Sequence, residues 1–220
     1  MKAIFEPVDM EKWERKPYFE YYCNTVKCKY NLNANIDITT LVSRSKAKGL
    51  KFFPVFLYVI MRAINQNKEF RMSFDEQKQL GYWNHLLPSY TIFHEDDKTF
   101  SDVWSEYDEN FGIFYQTIIN DIVTYKHVKG IKARLGRPVN FCSISSLPWL
   151  SFTGFAQDTY EPSDLLFPLI RFGKYFDERN KILIPFAIFV NHAVADGYHT
   201  AKLINDIQDY ASSVEDWIKV

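Results

Sequence analysis

Toward the end of the chain, His192-Ala193-Val194-Ala195-Asp196-Gly197 form an H-x-x-x-D-G hexapeptide. It follows an apolar run, Ile182 to Val190, whose composition predicts a buried strand. A histidine at the end of such a strand can be held in one orientation. An aspartate and a glycine just after it suit the turn into a helix. The chemistry this suits is general-base activation of a hydroxyl or thiol for acyl transfer, because an imidazole titrates close to neutrality. A chain of this size carries the hexapeptide by chance about one time in a hundred, so the motif requires a second, independent signal.

The elements that must position it read as follows. Pro17 to Cys23 is a short aromatic helix, with Pro17 at an allowed first-turn position. Val26 to Ile38 alternates as a strand, with Val26, Cys28, Tyr30 and Leu32 on one face. Asp37 or Thr39 caps a helix that ends at Gly49. Pro54 to Asn65 is a strongly apolar helix. Arg71 to Phe74, Gln79 to Trp83 and Leu87 to His94 read as a meander, with Asp75 to Lys78 as a turn. Asp108 to His127 is the best amphipathic helix, with Asp108 as its cap. Val128 to Pro138 reads as a solvated basic loop. Val139 to Ser145, Leu166 to Phe176 and Lys181 to Asn191 are strands, the last two joined at Asp177 to Asn180 by a hairpin-length connection. Gly197 to Tyr210 closes as a helix with Leu203, Ile204 and Ile207 facing in. No repeat or low-complexity linker interrupts the pattern, which predicts one α+β domain over residues 1–220.

Composition narrows the function. The chain has 220 residues, 47% hydrophobic and 17% aromatic, which supplies a sizeable core and material for an aromatic pocket or subunit interface. The net charge is −1, with no long basic block, so nucleic-acid backbone binding is not expected. The longest apolar stretch, Phe52 to Met61, is too short to span a bilayer. The early residues Glu6, Asp9, Glu11 and Trp13 do not read as a signal peptide. Cys23, Cys28 and Cys142 have neither CxxC spacing nor a nearby histidine partner. They read as small buried hydrophobes in a reduced cytoplasm, and no metal site is expected.

Landmarks along nearly the whole chain then occur in one order: Trp13 to Phe19, Lys51 to Pro54, Glu69 to Met72, Tyr90 to His94, Thr99 to Tyr107, Ile144 to Trp149, Gly173 to Tyr175 and His192 to His199. On these segments the chain resembles the chloramphenicol acetyltransferases of the trimeric, acetyl-CoA-dependent type. The resemblance implies a two-layer α/β sandwich, a mixed sheet with helices packed on it. It implies acetyl-CoA as co-substrate, no tightly bound cofactor, and a homotrimer whose sites lie between subunits.

It also implies roles for particular residues. His192 would be the general base. Ser145 would donate to the oxyanion, selected among Ser143, Ser145 and Ser146 by its offset from Pro148-Trp149. Asp196 would pair with Arg15 in structural support and would not touch the imidazole. Tyr22, Thr91 and Phe100 would line the acceptor pocket, and Trp149 and Tyr175 would lie on the coenzyme side. His94 and His199 read as ordinary structural histidines.

Some residues depart from the family pattern. Asn191 stands where a histidine is usual, and Ala195 where a cysteine is usual. Gln157 and Thr159 replace apolar residues of the acceptor site. Arg171 stands where the family has a threonine and is read as pointing into the acceptor channel, where it would disfavour an apolar ring or favour an anionic or hydroxyl-rich acceptor. The leading expectation is O-acetylation of chloramphenicol, an inactivation of the antibiotic. The alternatives are a same-fold acetyltransferase with another hydroxyl acceptor and a poorly active ligand-sequestering protein.

Overall fold

The computed structural model describes residues 2–157 and 164–219. β1 (Phe5–Pro7) leads to α1 (Lys16–Glu20), which continues as a π-helical turn over Tyr21–Thr25. Next come β2 (Lys29–Asp37), α2 (Thr39–Ala47), α3 (Phe52–Gln66), a 3-10 turn (Lys68–Arg71), β3 (Met72–Phe74) and β4 (Leu80–Trp83). β5 (Leu87–His94), β6 (Thr99–Trp104), α4 (Phe111–Tyr125), β7 (Phe141–Leu147) and β8 (Leu169–Gly173) follow. The last described elements are β9 (Phe176–Glu178), β10 (Lys181–Asn191), α5 (Gly197–Ser212) and α6 (Val214–Trp217).

The main sheet runs β2-β10-β8-β7-β5-β6, with β9 paired to β10. β7 is parallel to both β5 and β8, and the other pairs are antiparallel. Strand alternation gives this sheet two different faces. Ile36, Ile184, Phe186, Ile170, Ile144 and Val103 are fully or nearly fully buried in one core with residues of α2, α3, α4 and α5. α3 is apolar nearly all round because it lies in the middle of this helical layer, with Val55 to Met61 almost wholly buried. The result is a two-layer sandwich with a mixed sheet, an α+β fold.

The opposite face carries a row set by register: Asn33, Ala187, Arg171 and Ser145 lie side by side across β2, β10, β8 and β7, with Thr91 beside Asp102 across β5 and β6. Among the described residues, no helix covers this row. A strap leaves β7 and crosses the sheet, placing Phe152 and Phe155 over Ala187, Phe189 and Leu169. Asn33 Oδ1 accepts from Phe155 N at 2.9 Å, and Asn31 Nδ2 donates to Phe155 O at 3.2 Å. Gly173 lets the strap approach: a Cβ there would lie 2.6 Å from Leu150 O.

Several expectations change. β4 pairs with β1 and β3 in a separate three-stranded sheet, while β5 joins the main sheet, so no meander forms. α4 is capped by Asn110, which accepts from Ile113 N at 3.1 Å; Asp108 instead accepts from Asn110 N. The side chain of Asp37 binds Thr39 but caps no helical amide beyond it. The expected strand over Leu166 to Phe176 divides into β8 and β9, and Arg179 and Asn180 both take positive φ in the tight turn to β10. Cys142 is buried, but Cys23 and Cys28 are only half-buried. The basic loop is largely exposed, as expected, but two of its cations are paired: Arg134 pairs with Asp121 at 2.9 Å and stacks on Trp104, and Arg137 pairs with Asp102 at 2.6 Å.

Candidate active site

β10 delivers His192 to the end of the sheet. His192 N donates to Cys28 O at 3.0 Å, which ties the turn to the start of β2. Asn191 Oδ1 accepts from Ala193 N at 3.1 Å and pins the same turn. The imidazole is clamped between two rings. Tyr22 stacks parallel to it at 3.8 Å, and Tyr30 meets it edge-on at 5.0 Å. Tyr30 is itself fixed by a 2.6 Å hydrogen bond between its hydroxyl and Thr200 Oγ1. Nδ1 of His192 is buried and has no hydrogen-bond partner among the described residues. That leaves Nε2 as the nitrogen able to meet a substrate.

Asp196 does not contact this ring. It caps α5, accepting from Tyr198 N at 3.0 Å, and its Oδ2 accepts from Arg15 Nη1 at 2.8 Å. His199 Nδ1 lies 2.8 Å from Asp196 Oδ1 and 3.4 Å from Asp196 N. One nitrogen cannot donate to the first and accept from the second, and the shorter, charge-assisted contact makes Nδ1 the donor. Burial raises the Asp196 carboxyl, but the hydrogen bonds from Arg15 and His199 outweigh it and hold its pKa at about 2.

The second group lies on the uncovered sheet face. A cavity of about 770 Å³ is lined by Ser145, Thr91, Phe100, Trp149 and Arg171 among others. Ser145 Oγ is 3.0 Å from Thr91 Oγ1. Phe100 and Trp149 are 57% and 63% exposed, so their rings offer open apolar surface. Trp149 packs edge-on against Phe93 at 4.7 Å. Tyr175 does not line this cavity; it packs against Phe52. Gln157 lines a separate pocket of about 410 Å³ with Tyr30 and Asn191, and Thr159 falls outside the described residues.

One chain does not bring the two groups together. Ala187, Arg171 and Ser145 are lateral neighbours, and His192 lies beyond Ala187 along β10. Two strand spacings across and five residues along place His192 about 19 Å from Ser145. The imidazole and the serine hydroxyl of one chain therefore cannot touch the same reacting group.

Three contributors were not selected from the sequence as site residues. Tyr30 read only as a strand residue, because its place beside His192 depends on the β2–β10 register. Asn191 was noted only as a departure, yet it holds the turn. His199 carried a local signal: it is three residues after the capping Asp196, the spacing of a capping box.

The fold is shared with solved acetyltransferases. The chain is similar to a chloramphenicol acetyltransferase structure at a TM-score of 0.83 and 23% identity, covering 94% of this chain and all of that one. It is also similar to the dihydrolipoamide acetyltransferase of Azotobacter vinelandii at a TM-score of 0.67 and 14% identity, covering 97% and 98% of the two chains. The family model for chloramphenicol acetyltransferase matches residues 3–208. A chloramphenicol acetyltransferase of Clostridium perfringens is 47% identical over 97% of this chain and 98% of that relative. The chain belongs to the chloramphenicol acetyltransferase family.

Proposed function

We propose that the protein is an acetyl-CoA-dependent O-acetyltransferase that acetylates a hydroxyl of chloramphenicol and thereby inactivates the antibiotic. The observation that carries this reading is His192, clamped by Tyr22 and Tyr30 with Nε2 left open, in a chain of this family. Acetyl-CoA supplies the acetyl thioester as a co-substrate, and no resident cofactor is needed. His192 takes the proton of the acceptor hydroxyl as that oxygen attacks the thioester carbonyl, then returns it to the departing thiolate. Ser145 Oγ donates to the oxyanion, with Thr91 Oγ1 fixing its rotamer. Asp196 and Arg15 brace the turn into α5. Tyr22, Thr91 and Phe100 line the acceptor pocket with Arg171. Trp149 and Tyr175 serve the coenzyme side, though they stand on different surfaces of one chain.

The wide separation of His192 from Ser145 supports a site shared between copies. His192 of one chain faces the Ser145 cavity of a neighbour, in a homotrimer. Residues 1–220 work as one acetyltransferase domain in the cytoplasm. Among the described residues, no helix is long and apolar enough to cross a membrane. Arg134 and Arg137, two cations of the basic loop, are paired with carboxylates and so are not displayed for a phosphate backbone.

Thiol release from acetyl-CoA in the presence of chloramphenicol tests the reading. Turnover that depends on both substrates and yields the acetyl ester is the expected result. Hydrolysis of acetyl-CoA at the same rate without chloramphenicol would overturn it.

A further inference from the structure

The cavity around Ser145 holds two arginines in different situations. Arg137 is neutralised: its Nη1 lies 2.6 Å from Asp102 Oδ2 and 3.0 Å from Ser89 Oγ. Arg171 is not. Its Nη1 donates to the backbone carbonyls of Ile170 at 2.7 Å and Ser143 at 3.3 Å. Among the described residues, no carboxylate lies within ion-pair distance of it. Burial lowers its pKa, yet a guanidinium keeps its proton at neutral pH. The cavity lining therefore carries one uncompensated positive charge. The Nε–Nη2 edge of the guanidinium makes no protein hydrogen bond among the described residues, and that edge matches the two oxygens of a carboxylate.

The position is as informative as the charge. The guanidinium reaches the carbonyl of Ser143, two residues before Ser145 on the same strand, and Arg171 is the register partner of Ser145, so the charge and the serine hydroxyl line one cavity.

The geometry points to a second acceptor class for this site: hydroxyl compounds that also bear a carboxylate, with Arg171 as the carboxylate's partner. This rests on the acyl-transfer reading above. The acceptor hydroxyl lies between His192 of one copy and Ser145 of the next, and the carboxylate docks on the Nε–Nη2 edge. Arg171 is then a specificity-determining residue that makes no contact with the reacting atoms. Proton and leaving group move as they do for chloramphenicol: the hydroxyl proton passes through His192 to the departing thiolate, and the product is the acetyl ester.

The test is a matched pair of alcohols, 4-(hydroxymethyl)benzoate and 4-(hydroxymethyl)benzamide, which differ only in the charge of the far group. Acetyl transfer to each, and to chloramphenicol, is measured with the wild-type protein and with Arg171→Gln. Equilibrium binding of the two alcohols is measured by calorimetry on the same samples. The wild type is expected to prefer the benzoate by about 10-fold or more in kcat/KM and in affinity, from one charge-assisted bidentate contact. In Arg171→Gln that preference should disappear. Equal use and equal binding of the pair by a wild type that acetylates chloramphenicol would overturn this inference and leave the acyl-transfer reading intact. Acetyl transfer to none of the three would overturn the acyl-transfer reading, and the two binding constants would still decide the role of Arg171. The wild-type ratio needs no variant, so a poorly folding Arg171→Gln protein does not block the outcome.

Discussion

The proton transfer proposed for His192 rests on aromatic packing of its ring. Tyr22 covers one ring face and Tyr30 abuts the ring, which fixes the ring plane and leaves one nitrogen for the acceptor. His192→Ala should lower turnover by at least ~100-fold while circular dichroism stays native, because a positioned base contributes that much or more. Near-normal turnover would remove the assignment. Ser145 stands beside Thr91, whose hydroxyl holds its rotamer and leaves one donor for the oxyanion. Ser145→Ala should lower kcat by roughly 100- to 1,000-fold with a smaller change in KM, measured by steady-state kinetics. As candidates, His192 and Ser145 were both marked in the sequence, one by its hexapeptide and the other by its offset to Pro148-Trp149. Tyr30 was not, because no local pattern distinguishes a strand tyrosine that packs on a histidine from one in the core. That distinction is made by pairing with β10, which comes from the far end of the chain.

At the scale of elements, the junction of α1 and α5 depends on one carboxylate. Asp196 caps α5, pairs with Arg15 at the head of α1 and accepts from His199. Because its folded-state pKa is depressed to about 2, its contribution to stability is fully present above the ordinary carboxylate range and is lost as pH falls through the folded value. Thermal unfolding between pH 5 and pH 2 should therefore show a loss in the wild type that is smaller in Asp196→Asn. Arg15→Ala and Asp196→Asn should each lower Tm, and the double variant should lower it by less than their sum. Strict additivity would mean that the two do not interact. A different contact governs the strap over the sheet, where Gly173→Ala would drive a methyl group against the Leu150 carbonyl. It should lower stability by about 1–3 kcal/mol, read from the urea midpoint. Strand and helix positions were largely legible from period and turn residues. Sheet membership was not: β4 and β5 are close in sequence, and nothing local announces that the first leaves for a separate sheet. Nor did the basic composition of the segment 128–138 reveal that Arg134 and Arg137 find carboxylates on distant elements.

At the scale of the whole molecule, the proposed reaction requires more than one chain. The sheet face that no helix covers among the described residues carries Ser145, Thr91 and Arg171, while His192 lies about 19 Å away at the end of β10, so the proposed reaction needs the hydroxyl acceptor held between neighbouring copies. Co-expression of His192→Ala and Ser145→Ala subunits under two different affinity tags, followed by purification through both tags, tests this directly. Each variant alone should be nearly inactive. In a ring of three with either mixed composition, one interface joins an intact His192 to an intact Ser145, so the doubly purified assembly should regain about a third of wild-type turnover. Doubly purified mixed assemblies that stay as inactive as either parent would contradict the shared site and place the whole reaction within a single chain.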